Sequence, residues 1–354
     1  MTIAIIAAAA GRPLDALVTA CREVAATELW SPLATPSWLA RAPGAIGRYA
    51  ERRRVAHHVD VDAPYLLAVD AGLRALGADR TDRRYQADFA LRVAIDAWAA
   101  REVRRRRPRV VVAPSLAAQR TFAAARAIGA ATVLAVDLPL LRALNRDLDR
   151  AAHVWPDRSF LRRFRAPSWA IARQEAERVM ADLVLVRGAY AHALCRADGV
   201  RDAQLAMWPA PPQPKPYAWS PPSAPTGRIQ LAGLAAARHG VDTALAVARE
   251  LGRTLVVRVG EGTEPGDLVH RAGVAVDDGP VDAIVCPAVC ETYPAEVRST
   301  GIPVIASPMA SRDGRGPDPY DVRAFADAVE HAPSAGLFIP PRAQPIAAQL
   351  TSLL

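Results

Sequence analysis

Short, continuous apolar segments alternate with Ala/Arg-rich stretches along almost the whole chain, and this alternation constrains the fold more than any other feature. The apolar segments are Ile3–Ala7, Val110–Ala113, Thr132–Val136, Leu183–Val186, Ile229–Leu231, Leu255–Val259, Ala283–Cys286 and Val304–Ala306. They are continuous rather than alternating, so they predict strands covered on both faces, as in parallel sheets. Segments between them, such as "AAQRTFAAARAIG" and "VDTALAVARELG", repeat apolar residues at helical spacing. Strand and helix in alternation predict an α/β protein with helices wrapped around parallel sheets.

One stretch interrupts the pattern. "WPAPPQPKPYAWSPPSAPTG", residues 208–227, is too rich in proline for a helix or a central strand and reads as a stiff linker. The 354 residues exceed what one typical domain needs, and a hydrophobic share of 51% is enough for two cores and too much for disorder. The expectation is two Rossmann-like domains, 1–207 and 228–354, joined by the linker 208–227 and facing a central cleft. No apolar run is long enough to span a bilayer. The opening "MTIAIIAAAAGRPLD" has no basic stretch before its apolar part, so it reads as a first buried strand rather than a signal peptide, and a cytoplasmic location follows as an expectation.

The formal net charge is +8, and Lys215 is the sole lysine, so nearly all positive charge is arginine. The densest run, Arg104–Arg107, falls where a helix should end before the strand at Val110. Cations suit a helix C-terminus, which makes a solvated helix end the leading reading. Peripheral contact with an anionic membrane comes second. Nucleic acid is set aside, because aromatics are only 6% and no recognition motif accompanies the arginines. The cysteines, Cys21, Cys195, Cys286 and Cys290, are scattered and form no disulfide framework or zinc-knuckle spacing, so they read as core residues.

Ligands of open parallel sheets bind beyond the carboxyl ends of the strands, and the second half places several suitable groups there. In "LAGLAAARHGVDTALAVARELG", Gly233 permits close backbone approach, and Arg238 and His239 precede Gly240 and a helix starting near Asp242. A helix N-terminus beside an arginine is a natural phosphate site. Asp242 itself reads as a helix cap. "VVRVGEGTEP" ends a strand in Gly260-Glu261-Gly262, a second place for backbone to meet a ligand. "CETYPAEVRSTGIPVIAS" carries Glu291 and Glu296 just before a buried strand. A carboxylate accepting from a diol holds a ribose; the plainer alternative is a pair of helix-start glutamates favoured by the dipole. In the first half, Asp137 follows the strand Thr132–Val136 and either points into the cleft or caps a helix. Asp60-Val61-Asp62 matches a short metal-holding pattern, but so short a pattern arises often by chance, so no metal is assigned.

The text "AGLAAARHGVDTAL", "VVRVGEG", "DAIVCPAVCETYP" and "EVRSTGIPVIAS", with "EAERVMADLVLVRGAYAHALCRADGV" and "GPDPYDVRAFADAV" around it, resembles the retaining GT-B glycosyltransferases of the large group 1, family 4-like type. The resemblance runs from about Arg109 to Val329. It implies two Rossmann-like domains, an acceptor bound by the first and a nucleotide-diphosphate sugar bound by the second. It also implies transfer with retention at the anomeric carbon, with no cofactor and no dedicated metal. Anchored on Pro287, Glu291 matches the family glutamate that contacts the donor sugar. Anchored on Gly301 and Pro303, Glu296 matches the one that holds the ribose. The two anchors together require a deletion of about one helical turn between the glutamates. The family's phosphate-binding arginine falls at Leu234 and its lysine at His239. Those departures carry an alternative: a catalytically inactive GT-B-fold partner or scaffold for another glycosyltransferase. A sugar-nucleotide epimerase of similar fold is a further rival, and it requires acid/base carboxylates that the sequence does not locate.

Overall fold

The computed structural model describes residues 2–7, 12–34, 81–208, 224–234, 236–258, 273–276, 279–290, 302–311, 313–332 and 346–354, with isolated positions between 41 and 72. The linker core 209–223 lies outside them. The first sheet has six parallel strands in the order β2-β1-β3-β4-β5-β6. They are β1 (Thr2–Ile6), β2 (Ala26–Trp30), β3 (Val110–Pro114), β4 (Ala131–Ala135), β5 (Leu183–Val186) and β6 (Leu205–Met207). The second sheet has five, in the order β11-β10-β7-β8-β9. They are β7 (Arg228–Leu234), β8 (Thr254–Arg258), β9 (Val274–Ala275), β10 (Ala283–Cys286) and β11 (Val304–Ala306).

Every strand expected from the sequence is present. Three others, β2, β6 and β9, were not foreseen, and all three lie at a sheet edge. β2 reads "ATELW" and buries only its last two residues, so it shows no continuous apolar run. The central strands β3 and β5 are buried at every position, because helices cover both faces.

The helices are α1 (Arg12–Arg22), α2 (Thr81–Arg106), α3 (Gln119–Ala127), α4 (Leu141–Val154), α5 (Ser168–Met180), α6 (Ala189–Ala197), α7 (Val241–Glu250), α8 (Val322–Glu330) and α9 (Ile346–Leu353). The arginine run ends α2, where Arg105 and Arg106 pair with Glu102 and Arg106 also reaches Glu28. This is the solvated helix end that the dipole favours. Although residues 346–354 follow the second sheet in sequence, Ile346 and Leu350 of α9 pack with Leu14, Leu17 and Val18 of α1 against the first.

The two halves meet over an apolar seam. Phe89, Leu116, Leu141, Leu144, Leu148 and Leu161 of the first half form one buried cluster with Ala237, Val289 and Cys290 of the second. Trp155 packs on Tyr320 with ring centroids 5.1 Å apart. The Arg150 guanidinium lies 4.6 Å from the same Tyr320 ring and pairs with Asp318 at 3.0 Å.

Candidate active site

In the second sheet the chain runs from β7 outward to β9, then returns to place β10 on the other side of β7. The order therefore reverses between β7 and β10, and the crevice beyond their carboxyl ends is where such a sheet binds ligands. The register of β7 against β8 shifts between Gln230 and Leu234, and Gly233 inside that irregularity has φ +89°. The imidazole of His239 lies over it: a Cβ on residue 233 would stand 3.0 Å from His239 Nδ1. A 3-10 turn, Ala237–His239, then leads through Gly240, with φ +79°, into α7.

From the β10 side, the Val289 N–H donates to the Arg238 carbonyl at 3.2 Å, so the two loops are laced together across the crevice. Gly240 supplies no side-chain cap to α7, whose first turn carries Asp242. Asp242 does not stand alone. Arg158, from the 3-10 segment Pro156–Phe164 of the first half, donates to it through Nε at 3.1 Å and Nη2 at 2.8 Å.

The first sheet has its own reversal, between β1 and β3, and α3 starts just beyond β3. The protein fills that helix N-terminus with its own carboxylates. Glu177 accepts from the N–H groups of Leu116, Ala118 and Gln119 at 2.7, 3.0 and 3.1 Å. Asp96 accepts from those of Arg120 and Thr121 at 2.9 and 2.8 Å. Arg173 joins both carboxylates, and its Nε donates to the Leu116 carbonyl at 3.0 Å. With its N–H and C=O both held, Leu116 adopts φ +67° and enters the seam.

Of the residues singled out by sequence, the structure brings Gly233, Arg238 and His239 together at the β7 crevice. Asp137 lies beyond β4 in the first half. It does not cap α4, because the Leu141 N–H there donates to Gln174 Oε1 at 2.8 Å. Asp137 instead takes a two-point pair from Arg92, at 3.0 and 2.7 Å, and Arg92 also donates to the Ser115 carbonyl at 2.9 Å. Gly260, Glu261, Gly262, Glu291 and Glu296 lie outside the described residues, as do Asp60 and Asp62. Among the described residues no group of three or more His, Cys, Asp or Glu side chains is placed to hold a metal ion. All four cysteines are buried, and none forms a disulfide.

The sequence did not single out Arg158, nor a polar cluster beside the seam. There Asp147 accepts from Tyr190 Oη at 3.0 Å, with Arg146 also donating at 3.5 Å. Burial pushes the Asp147 carboxyl up to about 6, against the opposing effect of those two neighbours.

No protein-family model matches the chain, and no curated protein matches it in sequence. Solved structures do. The lipopolysaccharide outer core galactosyltransferase WaaB, in its apo form, is similar over 99% of this chain and 94% of that one, with 15% identity and a TM-score of 0.52. A UDP-GlcNAc 2-epimerase of Methanocaldococcus jannaschii, in complex with UDP-GlcNAc and UDP, is similar over 99% and 98%, with 8% identity and a TM-score of 0.50. At such identities the likeness is one of fold: two Rossmann-like domains in the GT-B arrangement.

Proposed function

We propose that the second domain binds a nucleotide-diphosphate sugar at the β7–β10 crevice and that its sugar is transferred, with retention and without a metal, to an acceptor held by the first domain. The observation that carries this reading is an asymmetry between the halves. The α3 N-terminus of the first is filled by Glu177 and Asp96, whereas the loop leading to α7 has a glycine cap and bears Arg238 and His239. An anionic ligand is thereby excluded from one helix start; at the other, Asp242 is neutralised by Arg158 and the adjoining loop offers Arg238 and His239. Gly233, Arg238 and His239 take the diphosphate, and in this reading the backbone of Gly260, Glu261 and Gly262 supplies further donors to it. Glu296 takes the ribose, Glu291 the donor sugar, and Asp137 stands on the acceptor side. Removing one well-placed donor to the charge that develops on the leaving diphosphate costs about a hundred- to a thousand-fold in rate.

The test is calorimetric titration with UDP, GDP, ADP and their sugars, on wild type and His239→Lys. An imidazole neutralises phosphate only when protonated. Donor binding should therefore strengthen from about pH 8 to about pH 6, and His239→Lys should flatten that dependence. A second reading, a non-catalytic GT-B partner protein, is favoured by the seam, which places Ala237, Val289 and Cys290 of the crevice loops under first-domain leucines. Failure of wild type to bind any nucleotide sugar would leave that reading standing.

A further inference from the structure

The ion pair between Arg158 and Asp242 crosses from one half to the other. Its two side chains are only 13% and 14% exposed, and around it the halves meet through Leu161, Ala237 and other apolar residues. A desolvated pair in such a seam roughly breaks even against apolar packing, so stability alone does not account for it. Its position does suggest a use. It delivers a first-domain cation to the first turn of the helix that opens the β7 crevice, beside a loop, residues 234–240, whose one permanent cation is Arg238. A guanidinium presents its N–H donors in a planar fork suited to phosphate, the same fork that here holds Asp242 through Nε and Nη2.

We propose that Arg158 is a diphosphate-binding residue of the donor site, supplied by the opposite domain and held in place by Asp242 until donor arrives. This rests on the donor reading given above. Asp242 then competes with the donor for the guanidinium and keeps the unliganded cation neutralised in the seam.

The experiment is calorimetric titration with UDP and with uridine on wild type, Arg158→Ala, Arg158→Gln and Asp242→Asn; GDP or ADP and its nucleoside replaces the uridine pair if wild type prefers it. Arg158→Ala should weaken UDP about tenfold to a hundredfold and leave uridine unchanged, because the lost contact is to charge. Arg158→Gln should behave alike, and it retains a hydrogen-bonding partner for Asp242 if the alanine variant does not fold. Asp242→Asn should tighten UDP binding, since it removes the carboxylate that competes for the guanidinium; weaker binding would count against the proposal. Two further results would overturn the proposal. Tighter UDP binding in both Arg158 variants would make the pair a latch that merely holds the domains shut. Equal losses for UDP and uridine would make it architectural. If wild type binds no nucleotide, the donor reading fails and takes this one with it; if wild type binds UDP and the Arg158 variants match it, this one alone fails.

Discussion

A Cβ at residue 240 would stand 1.8 Å from the carbonyl oxygen of Pro287, and the backbone there has φ +79°. Both conditions demand glycine, and the first comes from the opposite lip of the crevice rather than from the turn itself. Gly252 shares the positive φ, at +62°, but faces open space. Gly252→Ala should therefore cost about 1 kcal/mol, the strain of the left-handed backbone alone. Gly240→Ala should cost roughly 3 kcal/mol or more, as overpacking adds to strain. Urea denaturation of the two variants checks this, and equal costs would mean that the β10 loop yields freely. Asp147 permits a test of a different kind. Its folded pKa of about 6 lies above that of an ordinary aspartate. Between about pH 4 and about pH 6 the folded state holds a proton that the unfolded chain has released, so stability falls as pH rises through that window and is level above it. Asp147→Asn should abolish this component and be the more stable protein at neutral pH, by on the order of 1–3 kcal/mol. Melting temperatures of both proteins across the window decide it; an unchanged difference at every pH would contradict the shift.

At the scale of elements, the loop from β3 to α3 depends on groups that lie far away in the chain. Glu177 reaches it across a sequence separation of 59 to Ala118, and Asp96 reaches Thr121 across 25. Glu177→Gln puts an amide NH2 among backbone N–H groups that now find only carboxylate oxygens. It should destabilise by about 2–4 kcal/mol and loosen Leu116, which these contacts hold in the left-handed region. Chemical denaturation with amide exchange over 115–121 would register both effects; protection that stays at the wild-type level would show that Arg173 and Asp96 suffice. The same distances explain what was legible in the sequence. Buried strands such as Val110–Pro114 declare themselves locally, since a strand covered on both faces must be apolar throughout. β2, with Thr27 and Glu28 on an edge, has no such obligation. The β7 loop was legible because Gly233, Arg238, His239 and Gly240 are neighbours in sequence. Arg158 was not, because its partner Asp242 is 84 residues away and nothing in "PDRSFLRRF" marks one arginine above the others.

At the scale of the whole molecule, the chain passes between the halves twice: between Trp208 and Ala224, and again between Ala332 and Ile346. The second passage returns α9 to the first sheet, where Ile346 and Leu350 are 3% and 0% exposed. There the Leu354 carbonyl also accepts from Arg109 at 3.4 Å. If the halves move relative to one another when a donor binds, the first body includes the chain's own last helix. The consequence is testable at Leu350, which is far in sequence from the first domain yet part of its core. Leu350→Ala should cost about 2–5 kcal/mol, as a core truncation does. The loss should appear in the transition reported by tryptophan emission, because residues 228–354 contain no tryptophan. Under folding conditions the variant should bind nucleotide as wild type does, since α9 packs on α1 and the first sheet rather than on the β7–β10 crevice. A nucleotide affinity that falls along with stability would mean that α9 travels with the second body, and that the boundary of motion lies before Ile346 only in sequence and not in mechanics.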